Sequence, residues 1–246
     1  MTIQIIPILI DKEIEKDDDL VDLIMSSPSK PEIQDGDVIV VTHKIISKQE
    51  GNMISLSKIL PTILATGIAS EYKKDPRIVQ LILDQTKYII RMNDGIIIVE
   101  THNGLICANA GVDESNVKDG FVTILPTNPD ESAKKLHQAI EERIGKNVAV
   151  IISDTFGRPF REGQTNCAIG ISGISSIIDY VGSKDTFGKT LHVTAIAIAD
   201  EICSATELVM GKSLKIPMAI VRNYTVSNSN GSINDLIRKR SKDLFR

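Results

Sequence analysis

KYIIRMNDGIIIVETHNGLICANAG, residues Lys87–Gly111, is the stretch that decides the fold class. Three apolar runs, KYIIRM, GIIIVETH and LICANAG, follow in close succession with turn residues between them. Each reads as a strand. His102-Asn103-Gly104 is a hairpin signal, because Asn-Gly supplies the positive φ values of a tight turn. Hairpins in series imply antiparallel sheet.

The same punctuation extends outward. DVIVVTHKII, Asp37–Ile46, is a strand by its β-branched run, launched by an Asp35-Gly36 turn. The N-terminal MTIQIIPILI reads as a first strand. TLHVTAIAIAD, Thr190–Asp200, alternates and predicts a half-buried strand. Helices are fewer. Asn128 caps one, with Pro129 in the first turn, Glu131 placed for a capping box and Gly145 as the stop. Pro76 opens PRIVQLILDQ, with an apolar face at Ile78, Leu81 and Ile82. Ser232 and Asp235 open a last helix, SINDLIRKRSKDLF. Strict strand–helix alternation is missing, so the fold class is α+β, with mainly antiparallel β-sheets and a few helices.

The chain of 246 residues is long enough for one large domain or two interleaved lobes, and carries no repeat, low-complexity tract or long linker. With 4% aromatic residues and no Trp, the core must be built from Ile, Val, Leu and Ala. A net charge of −4 with no basic stripe argues against nucleic acid. Cys107, Cys167 and Cys203 are too far apart for a CxxC pair and read as reduced, buried thiols. The N-terminus lacks the pattern of a secretory signal, and no apolar run approaches the roughly 20 residues of a membrane span. The expected location is the cytoplasm, away from membranes.

Several familiar signatures fail. GSKDTFGKT, Gly182–Thr190, resembles a phosphate-binding loop but has Ser183 where the first glycine belongs, so it reads as a polar turn. No two of His43, His102, His137 and His192 have a metal-ligand spacing.

Three other segments share one character: a strand runs out into Asp or Lys beside small polar residues and glycine. In VVTHKIISKQEG, Val40–Gly51, basic groups His43, Lys44 and Lys48 suit phosphate, or are solvated charges on a sheet edge. In NAGVDESNVKDG, Asn109–Gly120, oxygen-rich side chains including Asp113 and Asn116 suit a hard cation, or an ordinary polar loop. In VIISDTFGRPFREGQTNCAIGISG, Val150–Gly173, a strand delivers Asp154 and Thr155, with Arg158 and Arg161 close behind. A carboxylate and a hydroxyl beside two Arg suit a metal–phosphate arrangement, the Arg forks reaching phosphate or carboxylate oxygens. The bland alternative is an Asp–Arg ion pair in a glycine-rich turn.

These blocks, with ADEICSATELVMGK and NGSINDLIRKRSKDLFR, resemble the coenzyme F420-0 γ-glutamyl ligase family in the right order over nearly the whole chain. The resemblance implies a ligase that uses GTP and adds L-glutamate to the deazaflavin coenzyme F420-0. It also implies Mg2+ or Mn2+, with K+ as a further candidate, and an intertwined homodimer. By position, Asp113, Asp154 and Thr155 match metal ligands. Glu13, Ile14, His43, Lys44, Lys48, Asn116, Met210, Gly211, Lys212 and Ser213 match nucleotide contacts. Asp154, Lys48, Arg158 and Arg161 are the candidate catalytic residues. The sequence departs from the family where Ile10-Asp11-Lys12 replaces a usual Gly-Leu-Pro, where Lys212 stands at a position acidic in some members, and where Asn223 replaces a Gly. The resemblance ends without the nitroreductase-like domain of bifunctional members, so a single ligase domain over 1–246 is expected. Two rival readings remain: another NTP-dependent carboxylate ligase or phosphatase, and a non-enzymatic GTP-binding regulatory module.

Overall fold

The computed structural model describes residues 2–225 and 230–244. In chain order the first half comprises β1 (Gln4–Ile8), α1 (Leu20–Met25), β2 (Val38–Thr42), α2 (His43–Gln49), β3 (Met53–Ser55), α3 (Ile63–Tyr72), α4 (Pro76–Asp84), β4 (Thr86–Asn93), β5 (Ile96–Thr101), β6 (Ile106–Ala108) and β7 (Phe121–Thr123). The second half comprises α5 (Pro129–Ile144), β8 (Ala149–Arg158), β9 (Arg161–Ser172), β10 (Ile178–Asp179), β11 (Ala195–Ile196), α6 (Ile198–Met210), β12 (Met218–Arg222) and α7 (Ile233–Leu236). The fold is α+β, with antiparallel pairings dominant.

The main sheet runs β1-β12-β2-β8-β9. Among the described residues only β2 and β8 pair in parallel, Thr42 lying opposite Ser153. Apolar side chains alternate between its two faces. Ile39, Val41, Val150 and Ile152 pack with Leu20, Val21 and Ile24 of α1 and with Ala133, Leu136 and Ile140 of α5. Val38, Val40, Ala149 and Ile151 pack with Ile198, Ala199, Ile202 and Cys203 of α6. Burial on both faces explains why VIVV and AVII are continuous apolar runs without alternation. Gly170 permits the close packing of β9 on the start of α5: a Cβ there would lie 2.4 Å from the Pro129 carbonyl oxygen.

The hairpins of Lys87–Gly111 form the sheet β4-β5-β6, which packs with α3 and α4 through Ile68, Val79, Ile82, Ile97 and Val99. The turn at Asn103-Gly104 differs from the expectation, for only Gly104 has positive φ, at 81°. Gly104 N–H donates to Thr101 O and Thr101 N–H donates to Leu105 O, a three-residue loop closed by one left-handed glycine. The two-residue turn with consecutive positive φ is Asp94-Gly95, at 47° and 77°.

Three other expectations are corrected. The strand read over Asp37–Ile46 stops at Thr42, and His43 begins α2. Thr190–Asp200 is not one strand: only Ala195–Ile196 is extended, and α6 starts at Ile198. The Ser232–Asp235 capping box is present, but its helix ends at Leu236. The helix capped by Asn128, opened by Pro129 and stopped by Gly145 is present, with Asn128 Oδ1 accepting the Glu131 N–H as one half of the expected capping box. GSKDTFGKT is a polar turn in which Asp185 accepts from the N–H groups of Phe187 and Lys189. Among the described residues, no helix is long and apolar enough to cross a membrane.

Candidate active site

A cleft of about 960 Å3 opens where α2 leaves β2, beside the parallel strand β8. Its walls come from the loop after β1, α2, the 113–118 loop, the β8–β9 hairpin and the end of α6. All three chemistry-bearing segments of the sequence contribute to it.

Helix α2 supplies the basic side. Lys48 is 7% exposed, which excludes a solvated edge charge. Its Nζ donates to Glu13 Oε1 at 2.5 Å and to the Asn116 carbonyl oxygen at 2.7 Å. Lys44 Nζ lies 2.7 Å from Asp113 Oδ2 and donates to Ser115 Oγ. His43 is buried, with Nε2 3.3 Å from Asp154 Oδ1 and Nδ1 without a hydrogen-bond partner.

The acidic side holds Asp113 and Asp154 on the same cleft. Asp113 accepts from Ser115 N–H at 2.7 Å and from Ser115 Oγ at 3.1 Å. Burial acts to raise its pKa, but Lys44 and Ser115 outweigh it and hold the carboxyl below its ordinary value. Asp154 Oδ1 accepts the Thr155 N–H at 2.7 Å. The two carboxylates and the Thr155 hydroxyl are hard oxygen donors. Among the described residues, no group of three His, Cys, Asp or Glu side chains is spaced to hold a metal ion. An ion held by these donors would have to draw its further ligands from water or phosphate oxygens.

Hairpin and helix meet at the far wall. Thr155 lies directly opposite Asn166 in the β8–β9 ladder, and its hydroxyl donates to Asn166 Oδ1 at 2.7 Å. Lys212 Nζ donates to Thr155 Oγ1 at 2.5 Å, and Asn166 Nδ2 donates to Glu207 Oε2 at 2.8 Å. Gly211 and Ser213 also line the cleft.

Glu13 lines the cleft with a largely exposed side chain. Ile14 lines it too, but its side chain is anchored in the core with Ile10. Met210 is buried at 1% exposure as the last residue of α6 and does not line the cleft. Arg158 and Arg161 do not line it either: they face each other at the tip of the β8–β9 hairpin, where Arg158 donates to the Glu162 carbonyl oxygen. Asn166, Gln164 and Glu207 line the cleft and were not singled out from sequence. The pairing was hidden in the sequence, because a register shift between Gly157 and Arg158 sets Asn166, and not the equidistant Gln164, opposite Thr155.

Cys107 and Cys203 are buried as expected, while Cys167 is half-buried. All are free, and burial pushes Cys107 up to about 12, Cys167 up to about 11 and Cys203 well above its usual value.

A family model described as F420-0:Gamma-glutamyl ligase matches residues 9–223, which span every wall of the cleft. The chain belongs to this ligase family. It is similar to proteins named coenzyme F420:L-glutamate ligase in several archaea. The identity is 49% to that of Methanocaldococcus jannaschii, over 87% of this chain and 86% of the relative. It is 45% to that of Methanothermobacter thermautotrophicus, over 93% of both chains. It is 41% to that of Methanopyrus kandleri, over 100% of this chain and 98% of the relative. As a member of the F420-0:gamma-glutamyl ligase family the protein is an enzyme of the ligase class.

Proposed function

We propose that this ligase couples L-glutamate to the deazaflavin coenzyme F420-0 at the expense of GTP, in the biosynthesis of coenzyme F420. The observation that carries the reading is the convergence of Lys44, Lys48 and Lys212 with Asp113, Asp154 and Thr155 on one cleft of a chain in this family. A carboxylate and an amine do not condense in water without activation. Phosphoryl transfer from GTP to the lactyl carboxylate gives an acyl phosphate. Attack by the glutamate amine then forms the amide and releases phosphate. A further round uses the γ-carboxylate of the glutamate already added.

The charges lining the cleft explain the need for a divalent ion. Lys12, Lys44, Lys48, Lys118, Lys212 and Lys215 face Asp11, Glu13, Asp113, Asp154 and Glu207. This near-balance cannot neutralise a triphosphate alone. Asp113, Asp154 and Thr155 would hold Mg2+ or Mn2+, which supplies charge neutralisation on the phosphate oxygens when bound. K+ is a further candidate ion. Lys48, fixed by Glu13 and the Asn116 carbonyl, is already oriented toward the cleft and needs little reorganisation to meet a phosphate. Asn116 and the Gly211–Ser213 segment are placed to contact the nucleotide. The acidic substrates fall to cleft-lining residues, since Arg158 and Arg161 lie at the hairpin tip. The enzyme acts in the cytoplasm as a homodimer, with residues 1–246 as a single ligase domain.

The test is incubation with coenzyme F420-0, L-glutamate, Mn2+ and GTP, read by mass spectrometry. The reading expects a glutamyl product formed in step with GDP. Tight GTP binding with no product under any metal or pH would replace it with a regulatory module. Hydrolysis of GTP independent of both substrates would replace it with a phosphatase.

A further inference from the structure

Lys212 follows the end of α6, where a lysine ordinarily points to solvent or pairs with a carboxylate on its own helix. Its surroundings are more specific. Nζ lies 2.5 Å from Thr155 Oγ1, 3.4 Å from Asn166 Oδ1 and 3.5 Å from Glu207 Oε2. Three oxygens from β8, β9 and α6 thus receive the three protons of one ammonium.

The order of these distances matters. A simple ion pair with Glu207 would make the carboxylate the nearest contact, yet it is the farthest of the three. Glu207 Oε2 has a closer partner in Asn166 Nδ2, at 2.8 Å. That bond turns the amide so that Asn166 Oδ1 faces Thr155 and Lys212. The Thr155 hydroxyl spends its own proton on Asn166 Oδ1, at 2.7 Å, so one lone pair serves Lys212 and the other remains for the ion beside Asp154. Every group is oriented to present oxygen to a positive charge, next to Asp154 in the chain.

We infer that the Lys212 ammonium is a built-in cation of the nucleotide site. It fills an oxygen cage of Thr155, Asn166 and Glu207 that could otherwise take a metal ion, so a single divalent ion per nucleotide suffices. The inference rests on the nucleotide reading proposed above and adds to it the number of metal ions and the part played by residue 212. Held in the cage, the ammonium supplies the nucleotide site with a charge that does not depend on metal concentration.

The experiment counts Mn2+ bound per chain by electron paramagnetic resonance with a saturating non-hydrolysable GTP analogue, on the wild type, Lys212→Glu and Lys212→Met. The Lys212 side chain is 63% exposed, so both variants keep the fold, as circular dichroism will verify. The wild type binds one ion. Lys212→Glu binds a second, because the cage becomes anionic and empty. Lys212→Met binds the analogue about ten-fold more weakly at the same Mn2+ concentration, the loss expected for a charge-assisted contact. Two ions in the wild type, one ion in Lys212→Glu, or unchanged affinity in Lys212→Met overturns the inference while analogue binding itself stands. A wild type that binds no analogue overturns the nucleotide reading instead.

Discussion

Lys48 Nζ lies 2.7 Å from the carbonyl oxygen of Asn116, a residue 68 positions further along the chain. With Glu13 on its other side, this one ammonium joins helix α2 to two loops across the mouth of the cleft. The bonds use two of its three protons and leave one donor for a ligand.

Replacing Lys48 with Met is expected to weaken GTP binding by about 1.5–3 kcal/mol, the cost of lost charge-assisted hydrogen bonds. The aliphatic stem remains, so the fold should survive. Calorimetric titration of GTP checks this, and an unchanged affinity would remove Lys48 from the nucleotide site.

Asp154→Asn is expected to abolish turnover in a folded protein. The amide keeps an oxygen for the Thr155 N–H but is a far poorer ligand for a hard cation. Product assays at millimolar Mn2+, beside a thermal melt, separate lost chemistry from lost structure. Wild-type rates in the variant would contradict a metal role for Asp154.

A buried ion pair outside the cleft should control stability. Asp37 is 1% exposed and is bonded by Arg222 Nε at 2.9 Å and Nη2 at 2.7 Å. Removing the guanidinium leaves a buried carboxylate with only the Gln34 N–H. Arg222→Met is expected to lose about 3 kcal/mol in urea denaturation. A shift below a few tenths of a kcal/mol would show that water reaches Asp37 in its place.

Asp200 gives a pH prediction of opposite sign to the usual carboxylate. Burial raises its pKa above the ordinary 3.8, and the Ala168 N–H only partly offsets this. A raised pKa means that the folded state holds the proton more tightly than the unfolded state. This contribution to stability is present below the ordinary value and is lost as pH rises through the folded value. Asp200→Asn keeps an oxygen for Ala168 and carries no charge. Its urea midpoint should therefore gain on the wild type as pH rises above the ordinary carboxylate value. A gap that shrinks as pH rises would contradict this.

Features set by neighbours in sequence were legible before the structure. The hairpins of Lys87–Gly111 and the Asn128–Gly145 helix are local, and their turn and cap residues declare them. The boundary at Thr42–His43 was hidden because buried apolar residues flank it on both sides, Val38–Val41 in the strand and Ile45 and Ile46 in the helix. The start of α6 was hidden because Ala197, its N-cap, makes no side-chain bond, so nothing interrupts the alternation of VTAIAIAD. In the tail the capping box was read correctly but not its reach. Ile237 is extended, and the cations Arg238, Lys239, Arg240 and Lys242 would repel one another along a common helix. In the site, charge and residue type located Lys44, Lys48, Asp113, Asp154 and Thr155. They could not say that Arg158 and Arg161 ride to the hairpin tip. Nor could they reveal Glu207, whose place depends on how α6 docks on β9.

The one parallel pairing among the described residues has a consequence for how the enzyme assembles. The strands β4-β5-β6 and β8-β9 zip up from adjacent turns, but β2 must wait for β8 across the whole of residues 43–148. Closing so long a loop costs entropy before any contact repays it, so this seam is expected among the last to form. Pulse-labelled hydrogen exchange should find amides of β8-β9 protected before those of β2; simultaneous protection would refute the order. Because the cleft opens beside that seam, partly folded chains would offer a nucleotide no complete site, and ligand binding would act as a clamp on the finished molecule alone.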